Sequence, residues 1–321
     1  MSDTTDNTAR HRLTSVRRWV IKVGSALLTN DGLGLDPLVM KTLTRQLASL
    51  HALGHEVVLV SSGAIAAGLV RLNLAERPRE IHLSQAAAAV GQSALVRAYE
   101  DCLGPHGVVT AQILLSHADV RARDRYLNAR STLNTLLGMG VLPIINENDT
   151  VVTDEIRLGD NDTLAALVAN LVDAEALLIL TDQDGLMDRD PRQDKDAKLI
   201  ASADVHDPDL DAIAGEGSAL GRGGMATKLS AARLAARSGT STIIANGRLP
   251  DVIPKVVKGQ LVGTFLHTNR QPLSARKQWL ASLLHAQGQL VLDEGAVTVV
   301  SDHGRSLLPI GITAVTGVFK R

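Results

Sequence analysis

Two lysines that stand beside glycine-rich turns, far apart along the chain, have the chemistry to hold phosphate. The first, Lys22, lies in IKVGS, where Gly24 and Ser25 follow it at the end of a predicted strand. Backbone amides of such a turn and one ammonium group can face the same phosphate. A solvated surface charge remains an alternative for Lys22, because a lysine beside one glycine turn is a weak signal.

The second lysine closes the segment GRGGMATK, Gly221–Lys228. Its glycines predict a flexible loop that enters a helix continuing through Leu229–Arg237. Lys228 would lie one turn inside that helix and reach back over the loop towards a transferred phosphate. The spacing is not that of a P-loop, which requires GxxxxGK followed by Ser or Thr.

Ser61, Ser62 and Gly63 follow another predicted strand, in VSSGAIAAG. A hydroxyl and an unblocked amide at the start of a helix favour an anion, and a substrate carboxylate would suit this position. Plain helix capping by Ser62 is an equally good interpretation.

Two acidic and amide clusters lie close together in the sequence, Asn146–Asp149 and Gly159–Asp162. Together they can hold an ammonium group and hydrogen-bond a carboxylate. Asn and Asp also serve as caps and turn residues, so either cluster alone would favour that interpretation. The occurrence of both after a buried strand favours binding. A further strand end, TDQDGL at Thr181–Leu186, could line a nucleotide pocket, although alone it indicates a turn.

The histidines near the core segments, including His82, His117 and His206, lie outside the glycine turns, so no histidine base is expected. His51 and His55 have the spacing of a metal pair but lack the glutamate of HExxH, and no metal-binding side chains are predicted. A carboxylate acceptor, with a reference pKa near ~4.3, is already an ionised nucleophile at neutral pH. Its phosphorylation requires in-line positioning, Mg²⁺ and cations, and two lysines from opposite loops supply the cations.

The elements that must position these residues alternate short β-branched runs with longer segments rich in alanine and leucine. This alternation predicts an α/β fold, a three-layer αβα sandwich with a mostly parallel central sheet. A helix is predicted at Pro37–Leu53. The predicted strands are Trp19–Val23, Glu56–Val60, Val108–Leu115, Val141–Ile145, Ala176–Thr181 and Thr240–Ala245.

The composition favours a globular protein with small-molecule ligands. Of the 321 residues, 45% are hydrophobic and 2% aromatic, and the formal net charge is −1. Few rings are available to stack on bases, and the basic footprint of phosphate-backbone binding is missing. One cysteine, Cys102, allows no internal disulfide, and no apolar run reaches the ~18 residues of a membrane span. We expect a cytoplasmic protein.

Three regions are predicted along the chain. Residues 1–18 mix acidic and basic side chains without an apolar stretch, which indicates a flexible tail and neither a signal peptide nor an anchor. Residues 19–274 form the main domain. After Pro272 the pattern changes to short alternating pieces with turn residues at Asp293–Gly295 and Asp302–Gly304, so residues 275–321 are predicted as a linker and a short β-rich segment.

The order of the motifs resembles that of the glutamate 5-kinases, also called gamma-glutamyl kinases, of the amino acid kinase family. The resemblance runs from about Trp19 to Val318. It rests on IKVGSALLT, VSSGAIAAG, AAVGQSALVRAYE, RDRYLNARSTL, INENDTV, EIRLGDNDTLAALVA, LLILTDQDGL and GRGGMATKLSAARLAARSG. The closing segment, DEGAVTVVSDHGRSLLPIGITAVTGVF, looks like the beginning of a PUA domain. The residues up to Arg321 would form only part of such a domain.

Carried over residue by residue, the resemblance implies a role for each motif. Lys22 would contact the ATP phosphates and Lys228 would stabilise the transferring phosphoryl group, with Asp162 orienting the pair, so these three are the expected catalytic residues. The expected glutamate-binding residues are Ser62, Gly63, Asn146, Asp149 and Asn161. The expected nucleotide-binding residues are Lys22, Gly24, Ser25, Thr181, Asp182, Arg222, Gly223, Gly224, Met225, Ala226, Thr227 and Lys228. Arg222 stands where a small hydroxylated residue is usual in this loop.

The resemblance also implies the reaction and its partners. ATP and L-glutamate would give ADP and L-glutamyl 5-phosphate with Mg²⁺, the first step of proline biosynthesis. Proline would act as a feedback inhibitor, and the protein would form a homo-oligomer, a dimer or tetramer.

Three other functions compete with this expectation. Another kinase of the same fold could act on N-acetylglutamate, aspartate or UMP. Asp149 argues against the first, because an acetylated nitrogen carries no charge to pair with a carboxylate. A non-catalytic sensor is disfavoured by the presence of both lysines, and an RNA-binding module by the missing basic surface.

Overall fold

The computed structural model describes residues 10–30, 32–151, 161–189, 194, 196–214, 224–268, 288–301 and 305–317. The chain divides into two compact units, residues 1–279 and 280–321. The predicted boundary at residue 275 is close to this division, and both positions lie outside the described residues. None of the described helices has the length and apolar character needed to span a bilayer.

Most of the described strands of the first unit belong to one mainly parallel sheet. They are β1 (Arg18–Val23), β2 (Thr29–Asn30), β3 (Leu33–Leu35), β4 (Glu56–Ser61), β5 (Thr110–Leu115), β6 (Leu142–Glu147), β7 (Ala176–Thr181), β8 (Ser202–Asp204), β9 (Ser241–Asn246) and β10 (Thr264–His267). Eight of these described strands form the sheet, in the order β5-β6-β4-β1-β7-β9-β10-β8, and β2 and β3 form a separate pair. Only β9 and β10 are antiparallel neighbours within the described sheet. The parallel strands therefore present their carboxyl ends at the same edge, where ligands bind in open α/β sheets.

Helices cover both faces of the sheet. They are α1 (Ser25–Leu28), α2 (Pro37–Ala52), α3 (Ala64–Arg71), α4 (Ile81–Leu103), α5 (His117–Arg121), α6 (Arg123–Gly138), α7 (Asn161–Leu171), α8 (Asp209–Ala214), α9 (Met225–Ala236) and α10 (Val252–Val257). Short 3₁₀ turns lie at Arg12–Ser15 and Gly104–His106.

Alternation along the strands divides the core into two layers. Within β1, Trp19 and Ile21 pack into the layer that contains residues of α2, α4 and α10, whereas Val20 packs into the layer that contains residues of α6, α7 and α9. Both layers are aliphatic, and the strands are buried on both faces, as expected for parallel sheets. The predicted three-layer αβα sandwich is therefore confirmed. The predicted strands are present, with ends within about two residues of the observed ones, as is usual for strand assignments.

The prediction of a flexible tail over residues 1–18 is wrong for residues 10–18. Arg10 is fully buried, and its guanidinium donates hydrogen bonds of 2.5–3.1 Å to the backbone carbonyls of Ala201, Gln260, Val262 and Gly263. Leu13 is also buried in the core. The segment is ordered because a buried guanidinium must keep its donors satisfied and these carbonyls accept from it. Residues 1–9 lie outside the described residues.

The second unit contains two paired strands and one helix. Strand β11 (Gly288–Leu292) runs antiparallel to β12 (Ile312–Gly317), which confirms the short β-rich segment. The intervening residues that were expected to alternate as strand instead form helix α11 (Glu294–Ser301). Asp293 begins it, since its carboxylate accepts from the Ala296 amide at 2.7 Å. The predicted turn Asp302–Gly304 lies outside the described residues, and the PUA assignment stays a prediction.

Candidate active site

The two lysines predicted from glycine turns meet at one carboxylate. Lys22 Nζ lies 2.6 Å from Oδ1 of Asp162, and Lys228 Nζ lies 3.1 Å from Oδ2. Strand β1 supplies Lys22, while Asp162 and Lys228 come from the first turns of α7 and α9. All three side chains are less than 10% exposed. The cluster carries a net charge of about +1, because one carboxylate serves two ammonium groups.

The charge of Asp162 is held by its neighbours. Burial alone would raise its pKa, but the charges of Lys22 and Lys228 and their hydrogen bonds outweigh burial and hold the pKa below its ordinary value. Thr227 adds a hydroxyl 3.3 Å from Oδ2. The carboxylate is therefore ionised at neutral pH and fixes the direction in which both ammonium groups point.

The turn after β1 leaves room beside Lys22. A side chain at Gly24 would place its Cβ 3.5 Å from Lys22 Nζ, in contact with the ammonium group. Glycine keeps this side of the ammonium open to a ligand. Ser25 begins α1 and lines the adjacent cavity.

A network of polar side chains connects the ends of strands β4 and β6 with helices α4 and α7. The Asn161 amide donates to Ser62 Oγ at 2.9 Å, to the Ser61 carbonyl at 3.1 Å and to Asn146 Oδ1 at 3.2 Å. Asn146 in turn donates to Gln92 Oε1 at 2.8 Å. Asn146, Asn161 and Gln92 are all buried. The network fixes the orientation of amide groups that would otherwise rotate freely.

Ser62 does not cap helix α3, so the capping interpretation is wrong. The N-cap residue is Gly63, whose φ of 105° lies in the left-handed region that favours glycine. Ser62 Oγ instead accepts from Asn161. Ser61 Oγ bonds to the buried Tyr99 hydroxyl at 2.8 Å, and burial raises the pKa of that hydroxyl, so it stays protonated. The turn is thus held from both sides.

Close packing of α3 on α4 fixes where this turn and Gln92 lie. A Cβ at Gly68 would lie 1.8 Å from the Ala87 carbonyl oxygen, and one at Gly91 would lie 1.8 Å from that of Ala64. The two helices therefore touch backbone to backbone, which only glycine allows.

A cavity of about 680 Å³ opens at the carboxyl edge of the sheet beside these groups. Asp149 lines it, and burial raises the pKa of this carboxyl to about 6, while the positive charge of Arg77 partly offsets the effect. A carboxyl group whose pKa is perturbed by burial inside a cavity is a candidate for a functional site. Other predicted residues on the wall are Ser25, Ser62, Gly63, Asn146, Asn161 and Asp182.

Of the remaining predicted residues, some are described by the structure and others lie outside the described ranges. Thr181 is buried at the end of β7 and donates to Asp182 at 3.0 Å, while Gly224 is the N-cap residue of α9. Met225 and Ala226 lie half-buried in the first turn of α9 and are not among the residues lining the cavity. Arg222 and Gly223, together with Gly159 and Asp160, lie outside the described residues.

The structure adds three residues that sequence reasoning did not select. Arg77 and Arg248 line the cavity, and Gln92 accepts a hydrogen bond from Asn146; Glu147, part of the predicted cluster Asn146–Asp149, also lines the cavity. Arg248 follows a buried strand in an Asn-Gly turn, so the strand-end rule could have found it. Gln92 lies within a long alanine-rich helix and gave no signal.

Comparison with known proteins shows the family to which the chain belongs. A sequence model of the amino acid kinase family matches residues 17–246. A glutamate 5-kinase of Saccharophagus degradans is 59% identical over 305 residues, covering 95% of this chain and 82% of that protein. The chain belongs to the glutamate 5-kinases of the amino acid kinase family. A second relative in this family, the glutamate 5-kinase of Chromohalobacter salexigens, is 58% identical over 313 residues, covering 98% of this chain and 83% of that protein.

Solved structures show the same fold at much lower identity. The UMP kinase of Bacillus anthracis superposes with a TM-score of 0.55 and 17% sequence identity, covering 79% of this chain and 97% of that one. At this identity the likeness concerns the fold alone. The amino acid kinase fold of this glutamate 5-kinase family member is thereby confirmed.

Proposed function

We propose that this protein transfers the terminal phosphoryl group of ATP to the side-chain carboxylate of L-glutamate. The products are ADP and L-glutamyl 5-phosphate, and the reaction opens proline biosynthesis. The observation that carries the proposal is the buried Lys22–Asp162–Lys228 cluster. Asp162 follows Asn161 in the chain, and Asn161 lines the cavity, although the three cluster residues themselves do not. Glutamate 5-kinase relatives at 58–59% identity support the choice of substrate.

The acceptor group needs no base in this reaction. A glutamate side chain is ionised at neutral pH and can attack phosphorus directly. The chain must therefore bring two anions together and stabilise the charge of the transferring group. Lys22 and Lys228 supply that charge from positions fixed by Asp162. Each such preorganised interaction contributes about 2.7–4 kcal/mol in comparable sites.

The amino-acid end of the cavity suits a free α-ammonium group. Asp149 is a partly buried carboxylate with a raised pKa, and an ammonium group beside it would lower that pKa and restore its charge. Ser62 and Asn146 supply a hydroxyl and an amide donor for carboxylate oxygens, and Asn161, whose amide donates to both, orients them. N-acetylglutamate lacks the charge that would compensate Asp149.

The nucleotide is assigned to the half of the site that contains Lys22, Gly24, Ser25, Thr181 and Asp182. The segment Arg222, Gly223, Gly224, Met225, Ala226, Thr227 and Lys228 would cover it, with Met225 to Lys228 forming the first turn of α9. These roles rest on the family resemblance together with the position of the residues at strand ends.

Mg²⁺ fits this site as an ion carried by ATP. Among the described residues no group of three or more His, Cys, Asp or Glu side chains could hold a metal. Both oxygens of Asp162 are occupied by lysines, so this carboxylate is not free to bind a metal ion. Phosphate oxygens would hold the ion, and when bound it neutralises phosphate charge.

The test is an ADP-release assay with purified protein, ATP and Mg²⁺. We expect release with L-glutamate and little with N-acetylglutamate, aspartate or UMP. Hydroxylamine should trap the product as a hydroxamate, which reports an acyl phosphate. Equal or faster release with N-acetylglutamate would remove the substrate assignment. Inhibition by proline, homo-oligomer formation and a cytoplasmic location stay predictions, to be measured by added proline, by light scattering and by cell fractionation.

A further inference from the structure

Arg248 is a cation at the cavity that the reaction scheme above does not use. It lines the cavity together with Ser25, Ala26 and Asp182. Its side chain is exposed, and its Nη2 donates to the Ala26 carbonyl at 3.2 Å. Across the described residues this guanidinium has no carboxylate within ion-pair distance. A permanently charged group with donors to spare therefore faces the turn that follows Lys22.

The backbone under Arg248 is held firmly. The Gly247 amide donates to the Thr181 carbonyl at 2.8 Å, which ties the turn to the end of β7. The Arg248 amide donates to Asn246 Oδ1 at 2.9 Å, and Asn246 donates to Asp184 at 2.8 Å. A Cβ at position 247 would lie 2.4 Å from Leu27 Cδ1, so glycine lets the turn pack directly on α1. The turn that carries Arg248 is therefore held against the end of β7 and against helix α1, which follows β1.

The charge of the site leaves a place for a third cation. Lys22 and Lys228 share Asp162, so the buried cluster offers a net charge of about +1 to a ligand. ATP with one Mg²⁺ carries a charge of about −2 at neutral pH. Planar guanidinium groups match phosphate oxygens through paired hydrogen bonds, which makes arginine the preferred residue for such a contact.

We propose that Arg248 binds the phosphate groups of the nucleotide and helps to position them over the turn after β1. The proposal deepens the assigned function and rests on the use of ATP. The position of Arg248 beside Ala26 and Asp182 places it at the nucleotide half of the cavity. Arg77, the other arginine on the wall, acts electrostatically on Asp149 and belongs to the amino-acid half.

The experiment compares Arg248→Ala and Arg248→Lys with the unmodified chain and with Arg45→Ala. Arg45 is an exposed arginine on α2 that pairs with Asp251 at 3.0 Å, so it gives the same loss of charge away from the cavity. Calorimetric binding of ADP and of adenosine separates phosphate contacts from contacts to the nucleoside. Steady-state kinetics gives KM for ATP and for glutamate separately.

We expect Arg248→Ala to weaken ADP binding and raise KM for ATP by about 10-fold to 100-fold, the scale of one or two charged hydrogen bonds. Adenosine binding and KM for glutamate should not change. Lysine should restore part of the loss, and Arg45→Ala should behave like the unmodified chain. Unchanged ADP affinity in Arg248→Ala with ATP turnover intact overturns the role of Arg248, as does a rise in KM for glutamate alone. Failure of the unmodified chain to bind ADP would overturn the use of ATP itself.

Discussion

Lys22 and Lys228 are held by the two oxygens of a single buried carboxylate, that of Asp162. The same carboxylate therefore fixes both ammonium groups, and a displacement of α7, which carries Asp162, would move both of them. Without Asp162 the two positive charges would repel each other in a site that excludes most water, where charges interact more strongly than at the surface. The arrangement keeps two cations near one reacting group before any ligand arrives.

Replacement of Lys228 by alanine should lower kcat by about 10² to 10³, the scale for losing one stabiliser of transition-state charge. KM for glutamate should change little, because the proposed role of Lys228 is at the transferring phosphoryl group. Steady-state ADP release measures both values. Lys41→Ala, which removes an exposed lysine from α2, is the matched control. A kcat within about threefold of the unmodified value would refute the assigned role.

Asp162→Asn should lower the free energy of unfolding by about 3–5 kcal/mol, because two buried ammonium groups lose their counter-charge. The pKa of Asp162 is depressed in the folded state, so its contribution is present above the unfolded value of ~3.9. That contribution is lost as the pH falls through the folded pKa, below ~3.9. Urea unfolding of the unmodified chain and of Asp162→Asn at pH 7 and at pH 3 measures this difference in the free energy of unfolding, which should be smaller at pH 3.

A combined variant separates loss of charge balance from loss of packing in this cluster. Lys22→Met, Lys228→Met and Asp162→Leu together remove all three charges and should recover most of the stability lost by Asp162→Asn alone. The combined variant should have no kinase activity. If it were as unstable as the single variant, the loss would have to be assigned to packing.

Binding of glutamate should depend on pH through Asp149. Its pKa of about 6 is raised, so the carboxyl becomes protonated as the pH falls through about 6 and can no longer pair with an ammonium group. We expect kcat/KM for glutamate to fall about tenfold per pH unit below that value. The glutamate side chain, with a pKa of ~4.3, stays mostly ionised down to pH 5.

Asp149→Asn is the variant that isolates this effect. It should give a low kcat/KM for glutamate without an inflection between pH 5 and 7, and KM for ATP near the unmodified value. For a raised carboxyl pKa, the contribution to stability is present below the unfolded value of ~3.9 and is lost as the pH rises through about 6. At pH 8 the variant should therefore have a higher melting temperature than the unmodified chain, in which Asp149 is a buried charge. An inflection that survives the substitution would show that another group titrates.

Gln92→Met should raise KM for glutamate by about 10-fold, because the buried Asn146 amide would lose its acceptor. The amides proposed to bind glutamate would then lose their orientation. KM for ATP should not change. The double variant with Asn146→Ala should be no worse than Asn146→Ala alone, since both residues act in one network. Gln46→Met is a matched control, because Gln46 is a buried glutamine whose Oε1 accepts from Ile253 far from the cavity.

Arg10→Ala should lower the free energy of unfolding by roughly 3 to 5 kcal/mol, because several charged hydrogen bonds to buried carbonyls are lost together. Both KM values should stay unchanged in the folded fraction. Arg10→Lys should recover little, since a lysine cannot reach carbonyls spread around a planar guanidinium. Urea unfolding gives the stability. A specific rise in either KM would instead tie Arg10 to the active site.

The sheet could be predicted because its strands obey a simple rule of burial. β1, β4, β6, β7 and β9 are apolar runs covered on both faces, and each was found near its predicted bounds. Strands β8 and β10 were missed because they are only three and four residues long and give no periodic signal. Helix α11 was missed because VTVV is typical of a strand, whereas the Asp293 cap starts a helix there.

The site could be predicted in part for the same reason. Side chains at the ends of parallel strands meet, and this brought Lys22, Ser62, Asn146 and Asp182 to one edge. The pairing of Lys228 with Asp162 followed from the family resemblance and was not implied by local pattern. Gln92 could not be predicted, because its role depends on how closely α3 and α4 pack through two glycines.

The hydrogen bonds that Arg10 donates to four distant carbonyls also constrain the order of folding during synthesis on the ribosome. Gly263, one of its partners, follows Arg10 by 253 residues. At ~5–20 residues added per second, roughly 13 to 50 seconds pass between the synthesis of the two positions. The first of these partners to be made, Ala201, follows Arg10 by 191 residues, so the full set of acceptors exists only at the end of that interval. The kinase unit can therefore complete its assembly only once β10 has left the exit tunnel.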